Sequence, residues 1–168
     1  MDKYIYYAAQ LPMLVFDQEP AIGVGAFLTE GQKWMSSGDY QILTAVSINA
    51  TTPQKDDLPV YRAYQLFEHA LRRELLQYRQ ALKSRQEHKP RLFPPAVLKE
   101  GNPLEVEKKL LRLRWQLLDE MEFGHYSDMA FFILYHLKLQ ILVRLSSFDK
   151  ERGKEKFLTY TELTYEQD

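Results

Sequence analysis

The stretch from Met129 to Phe148, MAFFILYHLKLQILVRLSSF, constrains the fold more than any other part of the chain. At about 1.5 Å per residue, a helix of this length would reach across a bilayer. It carries His136, Lys138, Gln140 and Arg144 through its middle and end, and such side chains are expensive at membrane depth. A membrane span is rejected on that ground. His136, Gln140 and Arg144 recur every four residues and line one stripe of a helix, while Phe131, Leu134, Leu142 and Leu145 occupy much of the other side. This is the pattern of the central helix of a soluble all-α domain, around which the other elements must pack.

Composition narrows the class further. At 168 residues the chain suffices for one domain with a real core. Its 22 basic and 23 acidic residues leave a formal charge of −1, so no basic bias points to nucleic acid. The absence of cysteine removes thiolate metal sites, disulfides and thiol nucleophiles together, and fits a reducing, cytoplasmic compartment. The opening MDKYIYYAAQLPMLVF has an acid at its second position, interrupts its apolar residues with Gln10 and Pro12, and shows no small-residue cleavage site. It does not read as a signal peptide, and the NAT triplet at 49–51 therefore carries no glycosylation meaning.

Punctuation along the chain predicts a single helical domain over 1–168: a bundle of antiparallel helices with short N-terminal helices in 1–48, a long helix over 57–87, a proline-rich loop over 88–101 and C-terminal helices over 102–164. A short apolar segment from Tyr4 to Leu11 stops at Pro12, and an extended piece leads to a helix from about Ala26 to Ser36. Gly38 and Asp39 then break the chain before a further short helix from Tyr40 to Ser47. Asp57 is placed to cap the long helix, whose apolar face reads as Val60, Ala63, Tyr64, Phe67, Ala70, Leu71, Leu75, Tyr78 and Leu82. HKPRLFPPAVLKEG at 88–101, with three prolines and a glycine, reads as an open loop and the preferred site of proteolytic nicking. NPLE at 102–105 starts the next helix with a capping asparagine, a proline at the first position and a glutamate at the third. That helix runs to about Phe123, where Gly124 closes it, and Asp128 can cap the one after. Gly124, His125, Tyr126 and Asp128 thus form a tight interhelical turn. A last helix from about Asp149 to Leu163 would pack Phe157, Leu158 and Tyr160 against these. No strand pattern of comparable strength and no internal repeat occurs.

Catalytic templates fit poorly. Glu122 and His125 have the E-x-x-H spacing of di-iron bundles, where both side chains project inward from one helix, but Gly124 lies between them and no second E-x-x-H exists. GVGAFL at 23–28 lacks the third small residue of the dinucleotide fingerprint and follows no strand. There is no phosphate-binding loop, nucleophile elbow or H-E-x-x-H motif, so no catalytic residue, metal or cofactor is assigned.

Charge placed where the helical pattern wants hydrocarbon is the more informative feature. Arg114 has Leu110, Leu111, Leu117 and Leu118 three and four residues away, and Glu107 lies one heptad earlier. Lys138 is ringed by Leu134, Tyr135, Ile141 and Leu142, and Glu74 sits between Leu71 and Tyr78. A lone buried charge costs several kcal/mol, so pairing is expected, in an interhelical network of Glu74, Glu107, Arg114 and Lys138. Such a network would either fix the register of the bundle or dock a partner. Tyr4, Tyr6, Tyr7 and Trp34 are the aromatics that either anchor a partner or close the bundle, and the three tyrosines cannot all face one way on a helix.

Three stretches carry a resemblance: YIYYAAQLPMLVFDQEPAI at 4–22, RLRWQLLDEMEFGHYSDMAFFILYHLKLQILVRLSSFDKERGKEKF at 112–157 and, more loosely, FEHALRRELLQYR at 67–79. Their motifs LP.L.FD..P, RW..LDE.E.GHY.D and KLQIL.R...FD...G...F resemble an uncharacterised bacterial family encoded among the subunits of V-type ATPases. Members of that family are regarded as counterparts of the C subunit, called subunit d in eukaryotes. Ser127 and Leu145 depart from the large apolar residue and the tryptophan usual at those places, which leaves the turn and the helix intact. The resemblance implies a non-catalytic coupling protein. Its partners would be the central-stalk subunits and the membrane rotor ring, and it would sit peripherally at the inner membrane without inserting. A free-standing helical adaptor and a helical metal enzyme using Glu122 and His125 are the competing classes.

Overall fold

Asp128 begins the central helix by accepting a hydrogen bond from the Phe131 N–H at 2.9 Å, which satisfies one of the donors that a helix start leaves free. In the computed structural model, which describes residues 2–148, this helix is the last of seven. They are α1 (Asp2–Gln10), α2 (Val24–Trp34), α3 (Ser37–Ala45), α4 (Pro59–Lys83), α5 (Ala96–Lys99), α6 (Pro103–Glu122) and α7 (Met129–Ser146). Among the described residues there is no strand, and the fold is all-α, as the patterning required. The helix expected over 149–163, with Phe157, Leu158 and Tyr160, lies outside the described residues.

By length and composition α7 passes for a membrane span, yet 67% of it is buried inside the protein. Phe132 through Leu139 are all buried, and a run that long sweeps every direction around a helix. Of the polar stripe, His136 and Gln140 therefore face inward as a track for the chain leaving α3, while Arg144 lies beyond the buried run and is exposed. His136 Nδ1 meets the Leu43 carbonyl at 3.1 Å, Gln140 Nε2 donates to Val46 O at 2.9 Å, and Gln140 Oε1 accepts from the Ile48 N–H at 3.0 Å. From the other side, the Tyr64 hydroxyl donates to Ile48 O at 3.0 Å and the Tyr61 hydroxyl accepts from the Ser47 N–H at 2.9 Å. An irregular segment is thus satisfied largely by side chains, joined by backbone bonds from the Val46 N–H to Leu43 O and from the Ala50 N–H to Ser47 O, both at 3.2 Å. Burial pushes the His136 pKa below its ordinary value against a smaller upward pull from the Leu43 bond, so its ring is neutral near pH 7.

The N-terminal helices close one end of α7. Tyr7 stacks between Phe27 and Phe132, with ring centroids 5.9 and 5.0 Å away, and its hydroxyl donates to Phe27 O at 2.6 Å. α3 starts earlier than its glycine suggests: Ser36 Oγ accepts from the Asp39 N–H at 3.1 Å, which draws Gly38 and Asp39 into the first turn. The linker between α1 and α2 is fastened to the core by Tyr135, which donates to Pro12 O at 2.9 Å, and by Phe16, which lies edge-on to Trp115 under the Arg112 guanidinium.

Four local expectations need correction. The buried stripe of α4 is Tyr61, Tyr64, Glu68, Leu71, Leu75 and Tyr78, so Ala63 and Leu82 are exposed, and Val60, Phe67 and Ala70 are only partly buried. The helix is rotated because Tyr61 and Tyr64 have inward partners for both ring and hydroxyl, which the smaller alanines lack. Leu58, not Asp57, occupies the N-cap, and the Asp57 carboxylate accepts from the Gln54 N–H at 2.6 Å instead. α4 also ends at Lys83, where Arg85 at φ 53° makes a left-handed C-terminal turn with bonds from Gln86 N to Ala81 O and from Arg85 N to Leu82 O. Finally, the segment 88–101 is no open loop. It contains α5, and Phe93 joins Leu71, Leu75 and Leu110 in a second small core. That anchoring buries Pro90 and Phe93, while Arg91, Leu92 and Pro94 between and beside them remain exposed.

α6 begins with the full reciprocal capping box of Asn102 and Glu105 and runs antiparallel to α7, since Glu107 pairs with Arg144 while Asp119 pairs with Lys138. Gln140→Leu would strip partners from the Ile48 N–H and the Val46 carbonyl together. We expect about 2–4 kcal/mol lower stability in denaturant titration at unchanged helix content; a loss under about 0.5 kcal/mol would show that the 46–48 segment is held by other means.

Candidate functional site

The inward charges found by sequence are all engaged, but not with one another as a single network. Arg114 reaches from α6 to Glu68 on α4 as a two-pronged pair, Nε to Oε2 at 2.7 Å and Nη2 to Oε1 at 2.9 Å. Glu68 is fully buried and takes a second bond from Arg72 Nε at 2.7 Å. Glu107 instead accepts from Arg144 Nε at 2.9 Å. The Glu74 carboxylate accepts the N–H groups of Arg91 and Leu92 at 2.8 and 3.0 Å, tethering the proline-rich segment. Lys138, almost inaccessible, lies between Asp119 at 2.7 Å and Glu122, and its ammonium stands 5.4 Å from the Trp115 ring centre. The expected four-membered cluster fails because Glu68, on the inward stripe of α4, lies directly across from Arg114. Glu68 was missed in the sequence, although its place in the 61-64-68-71-75 stripe and its four-residue spacing to Arg72 both signal it.

Burial raises the Glu68 carboxyl, but the hydrogen bonds and charges of Arg114 and Arg72 outweigh it and hold the group below its ordinary value of 4.5. A carboxyl depressed on folding contributes stability that is complete above the unfolded value and is lost as pH falls through the folded one.

The α6–α7 corner lies beside this polar layer. Gly124 sits at φ 89°, a conformation that side chains other than glycine rarely adopt, and allows the chain to reverse. His125 Nδ1 bonds Asp128 Oδ2 at 2.6 Å while Asp128 Oδ1 caps α7. Partial burial raises the Asp128 carboxyl, but its bonds from His125 and the Phe131 N–H bring it below the ordinary range. Glu122 and His125 do not converge: one is held by Lys138 and the other by Asp128. Among the described residues no group of three His, Cys, Asp or Glu side chains is placed to hold a metal ion.

What the corner exposes is aromatic. Phe123 is 87% accessible and Tyr126 73%, and neither belongs to the core. A cleft of about 320 Å³ between them is floored by Asp119, Glu122 and Phe131. A second cleft of about 400 Å³ shares those three residues and extends to the 88%-exposed Met13 on the α1–α2 linker. Of the four aromatics singled out by sequence, Tyr6 alone is exposed. Tyr7 is wholly buried, Tyr4 and Trp34 are partly buried, the Tyr4 hydroxyl donates to the Asp39 carboxylate, and Trp34 Nε1 donates to Glu30 at 3.1 Å. The sequence places Tyr126 only within the turn and Phe123 only at the end of its helix, because the turn motif explains its glycine, histidine and aspartate but is silent about what the aromatic side chains beside them face.

Arg114→Leu leaves Glu68 buried with a single partner, and about 3–5 kcal/mol of stability should be lost. The double change Glu68→Leu with Arg114→Leu should recover much of that loss, and it should flatten the acid limb of stability below about pH 4.5, measured by urea titration across pH. A loss in the double variant equal to the sum of the losses in Arg114→Leu and Glu68→Leu alone would mean that the pair is not energetically coupled.

A family model described as a protein of unknown function (DUF2764) matches residues 96–163. The matched segment takes in α5, α6, the corner and α7, and therefore Arg114, Lys138 and both exposed aromatic tips. No curated protein and no solved structure matches the chain.

Proposed function

We propose that the chain is a non-catalytic subunit of a bacterial V-type ATPase, similar to its C subunit, that couples the central stalk to the membrane rotor ring during ion transport. It would act from the cytoplasmic side, bound peripherally through the complex, with no cofactor and no insertion into lipid. The motifs RW..LDE.E.GHY.D and KLQIL.R...FD...G...F support this reading, and the family match over 96–163 covers the same segment without naming an activity. The observation that carries it is the division of labour at the corner. Gly124, His125 and Asp128 shape the turn, whereas among the described residues Phe123 and Tyr126 take no part in the core and are available as anchors. The charged groups beside them are consumed in ion pairs and hydrogen bonds, which suits a contact surface better than a reaction centre. A free-standing helical adaptor would use the same two tips, so the partners decide between the readings.

Affinity purification of the tagged protein from gently solubilised membranes, followed by mass spectrometry, should recover rotary-ATPase subunits in fixed ratio. Phe123→Asp with Tyr126→Asp should abolish that recovery while changing stability by less than about 0.5 kcal/mol, because both side chains are already in water. Purification of the wild-type protein alone, beside an intact ATPase, would exclude the coupling role and leave the adaptor.

A further inference from the structure

α4 carries two stripes at heptad spacing. The inward one, from Tyr61 to Tyr78, builds the core. The outward one runs through Leu66, His69, Arg73, Leu76, Gln80 and Lys83, alternating steps of three and four residues, and all six are exposed. Such spacing keeps a seam on one side of a helix over several turns, which is what a second helix laid alongside requires. Leu66 and Leu76 stand 56% and 55% accessible on it, with no packing role in either hydrophobic core.

The charge on this face is one-sided for a structural reason. α4 contains only two acids, Glu68 and Glu74, and both are turned away from the outward seam: one into the Arg114 and Arg72 pair, the other onto the N–H groups of Arg91 and Leu92. The outward face keeps Arg62, Arg73, Arg79 and Lys83. Among the described residues none of these four forms an ion pair, and Arg62 is held only by the carbonyls of Gln54, Lys55 and Asp57. This surface lies on a different helix from the corner aromatics.

We propose that the outward seam of α4 is a docking surface for an acidic amphipathic helix of a partner protein. The partner's apolar residues would cover Leu66 and Leu76, and its flanking carboxylates would face Arg62, Arg73, Arg79 and Lys83. The occupant is a helix rather than an unstructured polyanion because the leucines recur at helical register, and it is acidic because the seam offers no exposed acid of its own to match a basic or mixed one. This inference does not depend on the ATPase reading and can fail separately from it.

The test uses the full chain and a synthetic probe, a peptide of roughly three heptads with leucine at the core positions and glutamate at the flanking ones. By fluorescence anisotropy the peptide should bind. Arg73→Glu with Lys83→Glu should weaken binding about tenfold or more, as should Leu76→Glu, and added salt should weaken it progressively. Circular dichroism of each variant should match that of the parent, since every altered side chain is in water. Absence of binding overturns the proposal. Equal binding of a scrambled peptide of the same composition, of polyglutamate or of anionic phospholipid vesicles also overturns it, because the surface would then be a non-specific cationic patch. Binding that appears only after residues 157–168 are removed assigns the seam to the chain's own acidic end and rejects a foreign helix.

Discussion

A helix whose middle is enclosed on every side must dispose of its polar atoms there inside the protein, and α7, buried from Phe132 to Leu139, imposes that condition on its neighbours. Gln140 and His136 are satisfied only because the chain leaving α3 passes them in an irregular conformation that presents backbone groups. Lys138 is tolerated only because two carboxylates from the end of α6 meet it. Each solution fixes a spatial relation: α7 to the 43–48 segment, α7 to α6, and through Tyr61 and Tyr64 the same segment to α4. Hydrophobic burial supplies the drive to collapse, but it is non-directional, and these few polar contacts select which collapsed arrangement is the native one.

The ion pairs extend the same logic outward. An acid on a helix can be turned in or out, and the choice redistributes charge over the whole surface. On α4 Glu68 is buried and Glu74 is turned onto the backbone of Arg91 and Leu92, so the outward side of the helix shows bases to solvent. At the α6–α7 corner the base, Lys138, is taken inward and the exposed part of Asp119 and the neighbouring Glu120 show acid instead. A chain with formal charge −1 thereby acquires two faces of opposite sign without any compositional bias.

How much of this was legible in the sequence depended on the range of the interaction that decides each element. Signals confined to a few residues read well: the asparagine and glutamate around Pro103, and the glycine and aspartate of the corner. Helix phase read less well. On α4 alanine and tyrosine compete for the inward face, and the contest is settled by partners 14 and 16 residues away, at Ser47 and Ile48. Pairing across the bundle was least accessible: Glu68 and Arg114 are separated by 46 residues, and nothing local tells an arginine which of several acids it will meet. The proline-rich segment misled because proline content reports on backbone shape, whereas its placement is decided by one phenylalanine and one distant carboxylate.

The left-handed glycine and the His125–Asp128 bond at the corner also bear on how Phe123 and Tyr126 would meet a partner. A contact made by a mobile loop must first surrender the freedom of its backbone, and that loss is subtracted from affinity. Here the mount has been set during folding, since the same aspartate that holds His125 also starts α7. Only the torsions of two aromatic side chains remain to be fixed on contact. The corner can therefore engage quickly and at low entropic cost, with a contact area far smaller than a flexible segment would need for the same grip.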